Sequence, residues 1–234
     1  MSAILLFMAT VAAIAGWWLS QQRLAAKPWL EEGVAVDFRD QSGSSVPAAK
    51  IGLGVFLAVV GSLFALLISA YSMRTSMVDW RELPLPRLLW FNTGVLVISS
   101  VALQWALTAA RRDDIDGLIV GLFVGGASAM TFLAGQLLVW QQLNVAGYFV
   151  ASNPANSFFY LITAVHGLHL MGGLVALGRT TAKVWRGAPM MQMRLSVELC
   201  AIYWHFLLLV WLVLLGLLTG WTDNFVDICR QLLT

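Results

Sequence analysis

Polar and apolar positions in this chain fall in long blocks rather than in short alternation. Charge-free stretches run from Met1 to Gln22, Ile51 to Met73, Leu88 to Ala110, Gly117 to Gly178 and Leu199 to Thr222. About 20 apolar residues at ~1.5 Å per residue carry a helix across a hydrocarbon layer of ~30 Å. The fourth stretch is too long for one span, and the segment ASNPAN (Ala151 to Asn156) divides it, with Pro154 as the breaker. The pattern therefore predicts an all-α polytopic membrane bundle of six transmembrane helices, a five-helix core plus one N-terminal helix, with no room for a soluble domain. Residues 1–22 are the N-terminal transmembrane helix and 23–49 a polar cytoplasmic linker. Residues 50–222 form the five-helix core and 223–234 an external C-terminal tail.

Composition strengthens this picture. The chain is 59% hydrophobic and 11% charged, where a soluble domain carries ~25% charged residues. The first stretch lacks the basic start of a signal peptide, since Arg23 and Lys27 follow it, so it is expected to be retained. Of the 14 Lys and Arg, only Arg74, Arg81, Arg87 and Arg230 fall on one side of the predicted bundle, and the remainder fall on the other. The positive-inside bias makes the richer side cytoplasmic and puts both termini outside. A net charge of +2 gives no reason to expect a nucleic-acid partner.

Polar residues inside the spans are few, which makes each one informative. The third predicted helix carries Asn92, Thr93, Ser99, Ser100 and Gln104, with Thr93, Ser100 and Gln104 at seven- and four-residue steps on one face. Such a stripe usually faces other helices, where hydroxyls and amides find partners. The fourth helix has Gly121 and Gly125 in a GxxxG pair, then Gln136 and Trp140 one turn apart. The fifth, Ser157 to Gly178, carries His166 and His169 near its middle. The sixth places Glu198 at its start and His205 two turns further along the same face, beside Trp204. Cys200 and Cys229 fall on opposite sides of that helix and are not expected to bond to each other.

Chemistry in these helices is limited by what they lack. No span holds an Asp, Glu, Lys or Arg in its interior, which argues against ion translocation by this chain alone. A bis-histidine haem needs two rings at matched depth. His169 and His205 differ by roughly 6 Å, counting from the cytoplasmic ends of their helices. Zinc needs about four ligands, and no Cys, Asp or Glu lies at the histidines' level. The residues favour structural hydrogen bonding within the bundle, with a metal or haem site as the alternative.

The motifs resemble those of one family, subunit III of haem–copper cytochrome c and quinol oxidases. SFFYLITAVHGLHLMGG is similar to that family's Phe-Phe…Thr-Gly-x-His-Gly-x-His-Val…Gly signature, with His166, Gly167 and His169 in place. ELCAIYWHFLLLVWL resembles its Glu…Tyr-Trp-His-Phe-x-Asp-x-Val-Trp, matching Glu198, Tyr203, Trp204, His205, Phe206 and Trp211. Asn92, Thr93, Ser99 and Ser100 match an Asn-Thr…Ser-Ser element, and Gln136 with Trp140 a Gln followed by Trp. The likeness covers about Lys50 to Thr222. Three acids usual in the family are replaced here, by Val60, Val139 and Leu208. The family occurs with five helices, or with seven that leave a lipid-filled cleft.

The resemblance implies an accessory, non-catalytic subunit of a respiratory terminal oxidase in a bacterial inner membrane. It implies no catalytic, cofactor-binding or metal-binding residue in this chain, with haem and copper held by partner subunits. The implied partners are the catalytic subunit I, subunit II, small oxidase subunits and bound phospholipid. The implied role is to stabilise the catalytic subunit and support its proton uptake, while the complex reduces O2 and translocates protons. His166, His169, Glu198, His205 and Gln136, with Asn92, Thr93, Ser100 and Trp204, are the residues expected to hold the helices together as a polar seam. Alternatives are a subunit III-like protein of a nitric oxide reductase, a free-standing b-type cytochrome using His169 and His205, and a scaffold for an unrelated membrane complex.

Overall fold

The computed structural model describes residues 47–81, 83–187 and 189–220. The predicted N-terminal helix, most of the linker, the C-terminal tail and Cys229 lie outside them. The chain divides into two compact units, 1–54 and 55–234, and the described part of the first is only the start of one helix. All other described residues belong to the second unit.

The described residues form five long helices: α1 (Ala48–Arg74), α2 (Leu88–Arg111), α3 (Ile115–Val145), α4 (Pro154–Trp185) and α5 (Met190–Leu218). They correspond to predicted helices two to six. Each is long and apolar enough to cross a membrane. Pro154, read from the sequence as a breaker, sits in the first turn of α4, where its missing N–H costs nothing. Asn153 caps that helix by accepting from the Ala155 N–H at 3.3 Å, and Asp114 caps α3 by accepting from Gly117 N–H at 3.0 Å.

The helices outrun the charge-free stretches. α5 begins at Met190, well before Leu199, and α4 continues to Trp185, past Arg179 and Lys183. Apolar runs mark the lipid-embedded length, whereas helical hydrogen bonding continues wherever good helix formers such as Met, Gln, Arg and Leu allow it. Glu198 is accordingly not at the start of its helix but more than two turns inside it.

α2 and α3 pack most closely. Their contact is a small-residue zip. A Cβ on Gly121 would lie 2.8 Å from the Ala106 Cβ, 2.9 Å from the Ala106 Cα and 2.9 Å from the Ala102 carbonyl oxygen. On Gly125 it would meet the Leu103 side chain at 2.9 Å. α5 then packs on α2 and α4. Val60 and Phe64 of α1 share an apolar cluster with Ile162 of α4 and with Val210 and Leu214 of α5. At the α2–α3 turn, Arg194 of α5 donates from Nε to the Ala110 carbonyl at 3.0 Å and from Nη2 to Asp113 Oδ1 at 2.7 Å. This links the start of α5 to a turn made tight by the left-handed Asp113 (φ 59°).

Candidate functional site: a buried polar seam

Thr93 and Ser99 of α2 point into the bundle and meet indoles from α5. Trp211 Nε1 donates to Thr93 Oγ1 at 3.0 Å, and Thr93 donates in turn to the Leu89 carbonyl at 2.9 Å. Two turns away, Trp204 Nε1 donates to Ser99 Oγ at 2.9 Å, and Ser99 donates to the Gly125 carbonyl of α3 at 2.7 Å. Each hydroxyl therefore accepts from α5 while its own proton is used by a backbone carbonyl. Both indoles are almost fully buried, where an unpaired N–H would be costly.

Asn92 reaches across to α3, donating from Nδ2 to the Phe132 carbonyl at 3.4 Å. Its side chain lies flat on Gly135, where a Cβ would fall 2.0 Å from Asn92 Oδ1. Gly135→Ala is expected to evict the Asn92 amide and cost about 1–3 kcal/mol. Asn92→Ala in the same chain should recover most of that loss. A double-mutant cycle in SDS-unfolding free energy checks it, and additive single costs would show that the two residues do not share this space.

His166 is the centre of the bundle at this level. It is 0% exposed and surrounded by the rings of Trp211 (centroid distance 5.0 Å), Phe132 (5.9 Å) and Phe64 (6.2 Å). It thus touches α5, α3 and α1 at once. Neither ring nitrogen has a hydrogen-bond partner among the described residues, and the same holds for both amide atoms of the buried Gln136 and for Ser100 Oγ. His169, half-buried beside Phe64 at 5.6 Å, donates from Nδ1 to the Val165 carbonyl at 2.8 Å. Its own carbonyl accepts from Tyr203 Oη at 2.8 Å.

Two residues expected in the seam lie elsewhere. His205 is exposed on the outer surface of α5. The buried face of that helix is Trp204, Leu207, Trp211 and Leu214, at three-, four- and three-residue steps, and His205 is one position off it. Glu198, seven residues before His205, shares its outer face and lies 3.9 Å from Arg111 of α2. The three imidazoles thus occupy three different environments. Among the described residues no three His, Cys, Asp or Glu side chains come together.

Several contacts had no individual signal in the sequence. Trp140 Nε1 donates to Thr163 Oγ1 at 3.1 Å, and Tyr160 Oη donates to the Tyr148 carbonyl at 3.0 Å. With Gly173 against Tyr203 and Trp204, they tie α4 to its neighbours. Each pairs positions on different helices or, for Tyr148, on the α3–α4 turn, so only the tertiary arrangement reveals it.

This arrangement can be set beside known proteins. The family model described as cytochrome c oxidase subunit III matches residues 53–223. That range takes in nearly all of the seam-bearing helices. The chain belongs to the cytochrome c oxidase subunit III family. It is 31% identical over 179 residues to the cytochrome c oxidase subunit 3 of Thermostichus vulcanus, covering 72% of this chain and 85% of that protein. It is 30% identical over 194 residues to the probable cytochrome c oxidase subunit 3 of Mycobacterium leprae, covering 78% and 92%. As a family member with five described membrane-crossing helices, it is a multi-pass membrane protein.

Membership gives a frame for the three positions where the sequence resemblance leads one to expect acids. In this member of the family, Val60 is buried against Phe64, Ile162, Val210 and Leu214. Val139 is fully buried, and Leu208 is half-buried. The site around Val60 is closed by apolar side chains, so a carboxylate there would enter a pocket of matching hydrocarbon shape and would need its own partner.

Proposed function

We propose that this chain is an accessory, non-catalytic subunit of a haem–copper terminal oxidase, carrying no haem or copper of its own. The observation that supports the reading best is the family match across 53–223. In this reading the five helices pack against the catalytic subunit and hold phospholipid, and they support proton uptake and lasting turnover there. Oxygen reduction and proton translocation belong to the complex. In this reading the membrane is a bacterial inner membrane, and the distribution of Lys and Arg supports an orientation with both termini outside. The core would span 50–222, preceded by a membrane helix at 1–22 and a polar linker at 23–49, and followed by an external tail.

The test is purification of the native complex followed by mild dissociation of this chain. Haem and copper are expected to stay with the other subunits, and oxygen-reduction activity to persist initially and then decay faster than in the intact complex. Haem that leaves with this chain would overturn the reading. The apolar surroundings of Val60 favour one second reading, a subunit III-like protein of a nitric oxide reductase. Consumption of NO rather than O2 by the purified complex would select it.

A further inference from the structure

The outer face of α2 and α5 carries polar groups that the seam does not use. A groove between these helices is lined by Gln104, Leu107, Ala201, Ile202 and His205. Gln104 and His205 are both exposed. The polar stripe of α2, buried at Thr93 and Ser100, therefore ends in this groove rather than in the core.

Register fixes the depth of the groove. Arg111 and Glu198 meet at 3.9 Å, at the end of α2 and in the early part of α5. Gln104 lies seven residues from Arg111 and His205 seven from Glu198 on these antiparallel helices, so both sit about 10 Å deeper than the ion pair. α5 has no further charge from Leu199 to its end at Leu218. An imidazole and a carboxamide at that depth are too short to reach the headgroup layer, and in hydrocarbon each is costly without a partner.

The chemistry of the missing partner follows from the hydrogen bonds already made. His205 Nδ1 lies 2.6 Å from the Ala201 carbonyl oxygen. A carbonyl can only accept, so Nδ1 carries a proton, and in the neutral ring Nε2 then presents a lone pair. The Gln104 side chain makes no hydrogen bond among the described residues, so it offers both an acceptor and a donor. Ala201 makes a small floor that lets a helix approach closely, and Leu107 and Ile202 give apolar walls.

We propose that this groove is the docking site for a transmembrane helix of a partner subunit, one that presents an O–H or N–H donor to His205 Nε2 and a polar group to Gln104. The partner's identity as an oxidase subunit rests on the family reading above. The groove itself rests on depth, tautomer and exposure.

The experiment is site-specific photocrosslinking in the purified native complex. Ile202 is replaced by p-benzoylphenylalanine, with Leu168, an exposed residue of α4, as the control position. Position 202 is expected to crosslink to another membrane subunit and position 168 to lipid. Gln104→Leu with His205→Leu should abolish the protein crosslink and speed dissociation in detergent about tenfold, as expected for losing hydrogen bonds of ordinary strength. The variant's own SDS-unfolding midpoint should not fall, since leucine suits hydrocarbon. Crosslinking of position 202 to lipid alone, or to a second copy of this chain, would overturn the proposal, as would undiminished association of the double variant. A crosslink to a membrane protein of some other complex would keep the groove and overturn the oxidase reading.

Discussion

Gly121→Val is expected to leave little assembled protein in the membrane, and Gly121→Ala to cost about 2–3 kcal/mol of stability. The reason is what a side chain there would meet: the Ala106 Cβ and Cα and the Ala102 carbonyl, all within 2.9 Å. Two of these are backbone atoms and cannot rotate away, so α2 and α3 must separate along the contact. That separation would also stretch the Ser99–Gly125 hydrogen bond. Ala106→Gly in the Gly121→Ala chain should restore part of the loss, because it removes only one of the three close contacts. Gly172 provides the control, since nothing lies within 4 Å of its built Cβ. Gly172→Ala should be neutral or slightly stabilising through helix propensity. SDS titration followed by tryptophan fluorescence measures each value. Equal costs at 121 and 172 would show that close packing at Gly121 does not matter.

The second large effect is at Trp211. Its indole packs edge-on to Phe132 at 4.9 Å, lies 5.0 Å from His166 and holds Thr93. Trp211→Ala is expected to cost about 3–5 kcal/mol, because the void would be enclosed by side chains on three helices, Phe132, His166 and Thr93, that cannot all collapse into it. Trp211→Phe keeps most of the packing and should cost about 1–2 kcal/mol. Thr93→Val should cost a similar amount by leaving the indole N–H unpaired, and combining it with Trp211→Phe should add little. The same SDS titration, run as a double-mutant cycle, gives the coupling. A loss from Trp211→Ala no larger than from Trp211→Phe would mean that hydrogen bonding, not packing, holds this part of the bundle.

Helix number and order were legible in the described part of the chain because charges bracket the apolar runs and Pro154 divides the one that is too long. Helix ends were less so, and α5 shows why: Gln192, Arg194, Ser196 and Glu198 are polar but compatible with a helix that leaves the lipid. For the seam, the stripe through Thr93, Ser100 and Gln104 marked one face of α2 correctly as a face. It could not show where along that face the neighbour stops covering it, so Gln104 emerges in an open groove. Ser99 rather than Ser100 makes the cross-helix bond, a difference of one position that depends on two contacting helices at once. His205 was misplaced for a similar reason. Its motif neighbour Trp204 is buried and bonded, but a helix turns ~100° per residue, so adjacency in sequence says little about sharing a face.

The indole bonds of the seam also order events in time. Ser99 and Trp204 are 105 residues apart, and Thr93 and Trp211 are 118 apart. At about 5–20 residues per second, α5 emerges from the ribosome roughly 5–25 s after α2. Through that interval the two hydroxyls that will receive the indoles already donate to carbonyls, Thr93 to its own helix and Ser99 to α3, the next helix made. At Thr93 and Ser99 the α2–α3 hairpin can therefore wait in lipid with both hydroxyl protons paired, its acceptors set for the two tryptophans that arrive last.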